Sequence, residues 1–296
     1  MPYNSNMKDS IQRFLFEHAP VRGEIVRLDA AWRAVLERRA YPPPVHRLLG
    51  EMTAAAALLT ATLKFDGTLI MQIQGSGPVR LLVVECTSDH HLRATAKCGD
   101  VPATAGTLRE LVGDGKFAIT LDRGPDRQSY QGVVALEGDS VATVLEHYME
   151  RSEQIATRMW LAADDGCAAG FMLQQLPGAN DADPDAWQRA TLLAASLTPR
   201  ELLALDAREL LHRLYSVEDI RLFDVRRIDF RCSCTRARVS AMLRMLGHAE
   251  VRGIISERGY VEVDCEFCNE HYRFDAVDAE QTFATAHNAP AASTRH

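Results

Sequence analysis

Two stretches decide how this chain is read: Arg227-Ile-Asp-Phe-Arg-Cys-Ser-Cys234 and Tyr260-Val-Glu-Val-Asp-Cys-Glu-Phe-Cys-Asn-Glu-His-Tyr-Arg-Phe274, with thirty residues between Cys234 and Cys265. The second has alternating flanks on either side of Cys265-Glu-Phe-Cys268, which predicts a hairpin with both cysteines at its tip. The first ends a predicted strand, Arg227 to Phe230, and immediately precedes a predicted helix, Thr235 to Leu246. The positive end of that helix dipole favours thiolate at Cys232 and Cys234. Two short cysteine pairs separated by some tens of residues supply the tetrahedral shell of structural zinc. Cys232, Cys234, Cys265 and Cys268 are therefore expected to hold one Zn²⁺ per chain, with Arg231, Arg236 and Arg238 adding positive charge beside the thiolates. A module of about sixty residues has a core worth only a few kcal/mol, whereas structural zinc contributes an apparent ~10–16 kcal/mol. Metal state and folding then become one variable. The site reads either as a permanent staple or as a redox switch, and Cys-x-Cys favours the switch because a disulfide across one residue is strained and labile.

Outward from the cysteines, the charge is divided. Arg226 to Tyr260 holds eight arginines against Asp229, Glu250 and Glu257, while Val261 to Glu280 holds seven acidic residues against Arg273. Opposite charge favours folding one half onto the other. Upstream, Trp187 to Tyr215 is expected to be helical and carries nine leucines; an apolar face of that length left bare would invite association. It either packs on a neighbouring domain or is covered conditionally. A boundary is expected at Leu176-Pro-Gly-Ala-Asn-Asp-Ala-Asp-Pro-Asp185.

The remaining N-terminal part reads as α+β. Strands are expected at Val21–Leu28, Leu69–Gln74, Val79–Glu85, Leu92–Ala96, Phe117–Leu121, Gln131–Leu136, Trp160–Ala162 and Gly170–Leu176. Helices are expected at Ala30–Leu36 with Asp29 as its cap, at Val45–Leu63 after Pro42-Pro-Pro44, and at Ser140–Glu150. The expected organisation is a β-rich sheet domain with covering helices over 1–176, a helical leucine-rich linker over 177–223, a small zinc-binding α+β module over 224–284, and a disordered tail over 285–296.

With 296 residues, 47% hydrophobic and 25% charged, the chain has globular proportions, which exclude a wholly disordered, collagenous or coiled-coil chain. Its 33 basic against 40 acidic residues give a net charge of −7, a poor prior for non-specific binding to nucleic acid or anionic membrane. No secretory signal or span of bilayer length is read, so a cytoplasmic protein with reduced thiols is expected. Cys86, Cys98 and Cys167 are each isolated in small or apolar sequence and read as packing residues. His90, His91 and His147 read as surface or packing histidines, and Gly75-Ser-Gly77 as a turn. His248-Ala-Glu250 with Cys265-x-x-Cys268 superficially matches a zinc-deaminase pattern, but it lacks the proline and leaves Cys232 and Cys234 unexplained. No catalytic residue is assigned, since four cysteines leave zinc no open position. The alternative to a switch is a zinc-ribbon nucleic-acid-binding protein using Arg231, Arg236, Arg238 and Arg244.

The whole chain resembles the redox-regulated heat-shock chaperones known as the 33 kDa chaperonin family. The resemblance rests on the cysteine motif together with Arg13-Phe-Leu-Phe16, Gln72-Ile-Gln-Gly75 with Gly77-Pro78, Tyr148-Met-Glu-Arg-Ser-Glu-Gln154 and Gly170-Phe-Met-Leu-Gln-Gln-Leu-Pro177, in order over roughly residues 8 to 283. Ala156 stands where proline is expected. The resemblance implies an ATP-independent holdase, not an enzyme, that is inactive when reduced and zinc-bound. It further implies that oxidation pairs Cys232 with Cys234 and Cys265 with Cys268 and releases zinc. The module and linker then unfold, a homodimer forms, and unfolding client proteins are bound.

Overall fold

In the computed structural model, which describes residues 9–124, 127–177 and 183–287, the chain divides between Arg231 and Cys232 into two units. The larger opens with strands β1 (Ser10–Phe16) and β2 (Val21–Leu28), then helices α1 (Ala30–Leu36) and α2 (Pro43–Thr62). A meander β3 (Thr68–Gly75), β4 (Val79–Thr87) and β5 (His91–Cys98) follows, then α3 (Leu108–Val112), β6 (Gly115–Asp122), β7 (Tyr130–Val134) and α4 (Val141–Arg151). After the hairpin β8 (Thr157–Ala163) and β9 (Ala168–Gln175) come α5 (Ala186–Ala194), α6 (Pro199–Ala204) and α7 (Ala207–Tyr215). Three short strands, β10 (Ile220–Leu222), β11 (Arg226–Arg227) and β12 (Asp229–Phe230), end the unit. The smaller unit contains α8 (Arg236–Leu246), α9 (His248–Arg258), β13 (Val261–Asp264), β14 (His271–Phe274) and α10 (Ala276–His287). The expected α+β class is what the chain adopts. Of the tail expected to be disordered from residue 285, residues 285–287 continue α10 and the rest lies outside the described residues, as do 178–182 of the expected boundary.

Two sheets organise the larger unit, in the orders β10-β1-β2-β9-β8, with β11 also on β1, and β12-β5-β4-β3-β6-β7. Helix α2 packs against β2, β8 and β9 of the first sheet and against β3, β4 and β5 of the second. A helix between two sheets must be apolar all round, and Ala54 to Ala57 are each fully buried. Small residues also let the sheets approach. At Gly50 an added Cβ would come within 2.4 Å of the Ala163 Cβ and 3.1 Å of the Trp32 ring.

The opposite face of the first sheet carries Phe14, Phe16, Ile25, Phe171 and Leu173, and it is covered by α5, α6 and α7. Leu202, Leu210, Leu211 and Leu214 are buried in this second core; Phe14 stacks on Phe171 at 5.4 Å, and Phe16 meets Tyr215 edge-on at 4.9 Å. The leucine-rich segment is thus three helices rather than one run. Thr198 and Asp206 each start a new helix with a reciprocal capping box, to Glu201 and Glu209 respectively, and Pro199 sits in the first turn of α6.

Three other details depart from expectation. Asp29 does not cap α1 with its side chain, which accepts from Arg27 instead; Asp9 does so, its carboxylate accepting from the N–H groups of Asp29, Ala30 and Ala31 at 2.8, 3.1 and 2.8 Å. Strand β1 has no counterpart among the expected elements. The strand expected over Arg227–Phe230 is split at the buried Ile228: β11 pairs antiparallel with β1 of the first sheet, and β12 pairs parallel with β5 of the second. Glu24, 1% exposed, reinforces this strap through Arg226 at 3.4 Å and is also held by Arg13 at 2.5 Å. Cys86 and Cys167 are buried, each thiol pushed up to about 12 by burial, and Cys98 packs half-buried against the first core. They are inert packing residues.

Gly50→Ala is expected to lower the thermal midpoint despite the roughly 1 kcal/mol better helix propensity of alanine, because overpacking here costs about 1–3 kcal/mol. Gly253→Ala, where an added Cβ meets nothing within 4 Å, should stabilise the smaller unit instead. Differential scanning calorimetry of the two variants checks both signs. By the same measurement, Asp9→Ala should cost about 1–2 kcal/mol, the loss of a helix cap, and more than Asp29→Ala.

Candidate metal centre

Cys232 and Cys234 lie in the non-regular segment just before α8, whose first turn is capped by Thr235, its hydroxyl accepting from the Arg238 N–H at 3.2 Å. Facing them, β13 and β14 pair from Val261 with Phe274 to Asp264 with His271, which leaves Cys265 to Glu270 as the hairpin tip. Two backbone bonds close this tip: the Cys265 N–H donates to the Glu270 carbonyl and the Asn269 N–H to the Cys265 carbonyl, both at 2.9 Å. Asn269 takes a left-handed φ of 57°, a conformation its short polar side chain tolerates.

The arrangement brings all four cysteines together. Their Sγ atoms lie within 4.8 Å of one another, with Cys232 to Cys265 at 3.6 Å and Cys234 to Cys268 at 3.3 Å. A tetrahedral metal with sulfur bonds of about 2.3 Å separates its ligands by about 3.8 Å, so the spacing fits a four-sulfur shell. Disulfide-bonded sulfurs would lie about 2.05 Å apart; these are free thiols. Burial pushes the Cys234 and Cys268 thiols up, Cys232 and Cys265 add to the rise at both, and hydrogen bonds from Tyr272 and Cys268 offset part of it at Cys234. A cation among the sulfurs reverses that balance and holds all four as thiolates. With four cysteines as its candidate ligands, the cluster matches the all-thiolate pattern of closed structural sites.

One contributor had not been singled out from sequence. The Tyr272 hydroxyl donates to Cys234 Sγ at 3.2 Å, the kind of outer contact that orients a metal ligand. Its position was readable: Tyr272 pairs with Val263, two residues before Cys265 on the same hairpin face.

The rest of the module holds these elements in place with little apolar material. Its core consists of Val239, Leu243, Val251, Val261, Phe274 and Ala279. The basic and acidic halves do fold together: Arg236 pairs with Asp278 at 2.7 Å, and Glu280 receives His248 at 3.2 Å and Arg252 at 3.3 Å. Arg236 also stacks on Phe274 at 4.2 Å and donates to the Arg273 carbonyl, while Arg238 binds Ser233 through its carbonyl and its hydroxyl. In the larger unit, Arg231 contacts His91 at 3.2 Å. Of the four arginines expected on a nucleic-acid face, Arg231, Arg236 and Arg238 thus serve the architecture of their own unit. His248 faces Glu280 and Phe283 rather than the cysteines, so the deaminase-like pattern is not assembled. His90 contacts Arg226, His91 contacts Asp229, and His147 contacts the Glu137 carbonyl, consistent with structural roles. Among the described residues, the four cysteines are the one cluster arranged as a metal shell.

The family model described as Hsp33 protein matches residues 9–275. Curated relatives named 33 kDa chaperonin include one from Chromobacterium violaceum, 49% identical over 99% of this chain and 100% of its own length, and one from Nitrosococcus oceani, 47% identical over 98% and 100%. The crystal structure of the 33 kDa chaperonin (heat shock protein 33 homolog) from Thermotoga maritima superposes with a TM-score of 0.83 over 95% of this chain and 100% of that one, at 22% identity, which establishes the shared fold. With the family model and the relatives both spanning nearly its whole length, the chain belongs to the Hsp33 protein family of chaperones.

Proposed function

We propose that this chaperone is an ATP-independent holdase switched by oxidation of Cys232, Cys234, Cys265 and Cys268, with zinc as the metal of the reduced, inactive state. The observation that carries the reading is the closed four-sulfur shell in a unit whose core has only six buried apolar side chains. So small a core supplies only a few kcal/mol, against ~10–16 kcal/mol from structural zinc. Oxidation removes the ligands. Each cysteine pair, as two thiolates, gives up two electrons to form one disulfide, and a peroxide that takes those electrons and two protons from solvent leaves as two waters. The pairings Cys232 with Cys234 and Cys265 with Cys268 follow the family resemblance. Zinc then leaves, and the module loses the interaction that holds it folded.

The consequence passes along the chain. Cys232 directly follows the strap of β10 to β12, and the strap follows α5 to α7. When the module unfolds, the helices come away from the first sheet, and Phe14, Phe16, Phe171 and the linker leucines become available to apolar segments of unfolding clients. Residues 177–223 thus act as the conditional cover and 224–284 as the sensor. The oxidised form assembles as a homodimer, and the protein works in the cytoplasm; no helix among the described residues is long and apolar enough to cross a membrane.

Reduced protein is expected to carry one zinc per chain. Peroxide under mildly unfolding conditions should release it, with a parallel gain in suppression of client aggregation, followed by a colorimetric zinc indicator and light scattering in one cuvette; unchanged suppression after complete zinc release would refute the switch. Metal removal alone should unfold the module and leave α2 and the sheets around it folded. Hydrogen exchange after chelation should show protection lost across 236–287 and retained in α2, and retained protection in α8 would show that the metal is not what holds the module.

A further inference from the structure

Of the nine methionines in the chain, seven lie in the described residues, and their exposures fall into two groups. Met52, Met71, Met149, Met159 and Met172 are at most 6% exposed, all in the larger unit. Met242 and Met245 are 42% and 89% exposed, one turn apart on α8, the helix that starts two residues after Cys234. Leu246, 54% exposed, continues the same patch, while Val239 and Leu243 on the adjoining face enter the module core. Among the described residues, the accessible thioethers are therefore confined to the unit that carries the thiol cluster.

We infer that Met242 and Met245 form a second oxidation site of this module, taking up oxygen from hypochlorous acid independently of the cysteines. The step is a two-electron oxidation at each sulfur. The thioether lone pair attacks chlorine, water replaces it, an S–O bond forms, and chloride and a proton leave, so one thioether and one hypochlorous acid give one sulfoxide, one chloride and one proton. Burial keeps Met52, Met71, Met149, Met159 and Met172 from the oxidant. A sulfoxide at Met245 stays in solvent. Met242 borders the buried Val239 and Leu243 stripe, and its sulfoxide places a strong acceptor against the margin of a core with little to spare. Thiol reductants do not reverse sulfoxides, whereas methionine sulfoxide reductases do. The pair therefore separates two histories of the module: oxidation that thiols alone can undo, and oxidation that they cannot. This consequence for metal recovery rests on the switch proposed above; the oxidation site itself does not.

The experiment uses the full-length reduced, zinc-loaded protein and substoichiometric hypochlorous acid, with peptide mass analysis. Met242 and Met245 should each gain one oxygen, about 16 Da, before any of the five buried methionines does; earlier oxidation of a buried methionine would overturn the site whatever the cysteines do. In a second arm the oxidised protein is treated with a thiol reductant and zinc, with or without methionine sulfoxide reductase. Zinc re-uptake should be slowed roughly fivefold without the reductase, the factor expected for partly burying one extra polar group, and the reductase should restore it. The double variant Met242→Leu/Met245→Leu should recover at the fast rate in both cases, and Met242→Gln should be slow without any oxidant. Equal re-uptake rates across these samples would overturn the proposed effect on recovery while leaving the mass result to judge the site.

Discussion

Four sulfurs cannot share so small a volume as thiolates without a cation among them. Burial works against ionising Cys234 and Cys268, and the hairpin tip and helix start that hold the four thiols are joined by only a thin apolar core. A metal held there would sit where folding and charge balance meet. In the larger unit the opposite holds: a helix buried between two sheets and a second core on the far sheet face supply apolar contact with no need of a metal. One chain thus joins a unit with ample apolar cohesion to a unit with little.

Much of this was legible in the residues. The cysteine spacing and the alternating flanks of Tyr260–Phe274 were enough to place the hairpin and both halves of the shell, because metal ligation and strand alternation are local signals. Proline and alanine around Pro42 to Ala57 announced a helix that packs closely. Charge segregation across 226–280 anticipated that Arg236 and Arg252 would meet Asp278 and Glu280.

What escaped sequence reading depended on contacts distant along the chain. Asp29 had the right residue type and position for a cap, but Asp9 reaches the same N–H groups from twenty residues away, and nothing local distinguishes the two. β1 alternates poorly because Phe14 and Phe16 face one core while Ile11 faces the other. The long leucine-rich run concealed two helix starts at Thr198 and Asp206; the signals were present, but hydrophobic periodicity across them dominated the reading. Ile228 could not be recognised as a crossing point without knowing that two sheet edges lie on either side of it.

That crossing has a consequence of its own. With one residue between them, β11 lies on β1 beside β10 in one sheet and β12 lies on β5 in the other, so a single short span of backbone belongs to both. A strand held by two residue pairs has little holding power alone, and neither short strand can readily leave while the other keeps the span in place. Their dissociation is accordingly concerted: a gradual loosening elsewhere in the chain would be registered by the two sheets together, as one event with a threshold instead of two successive frayings.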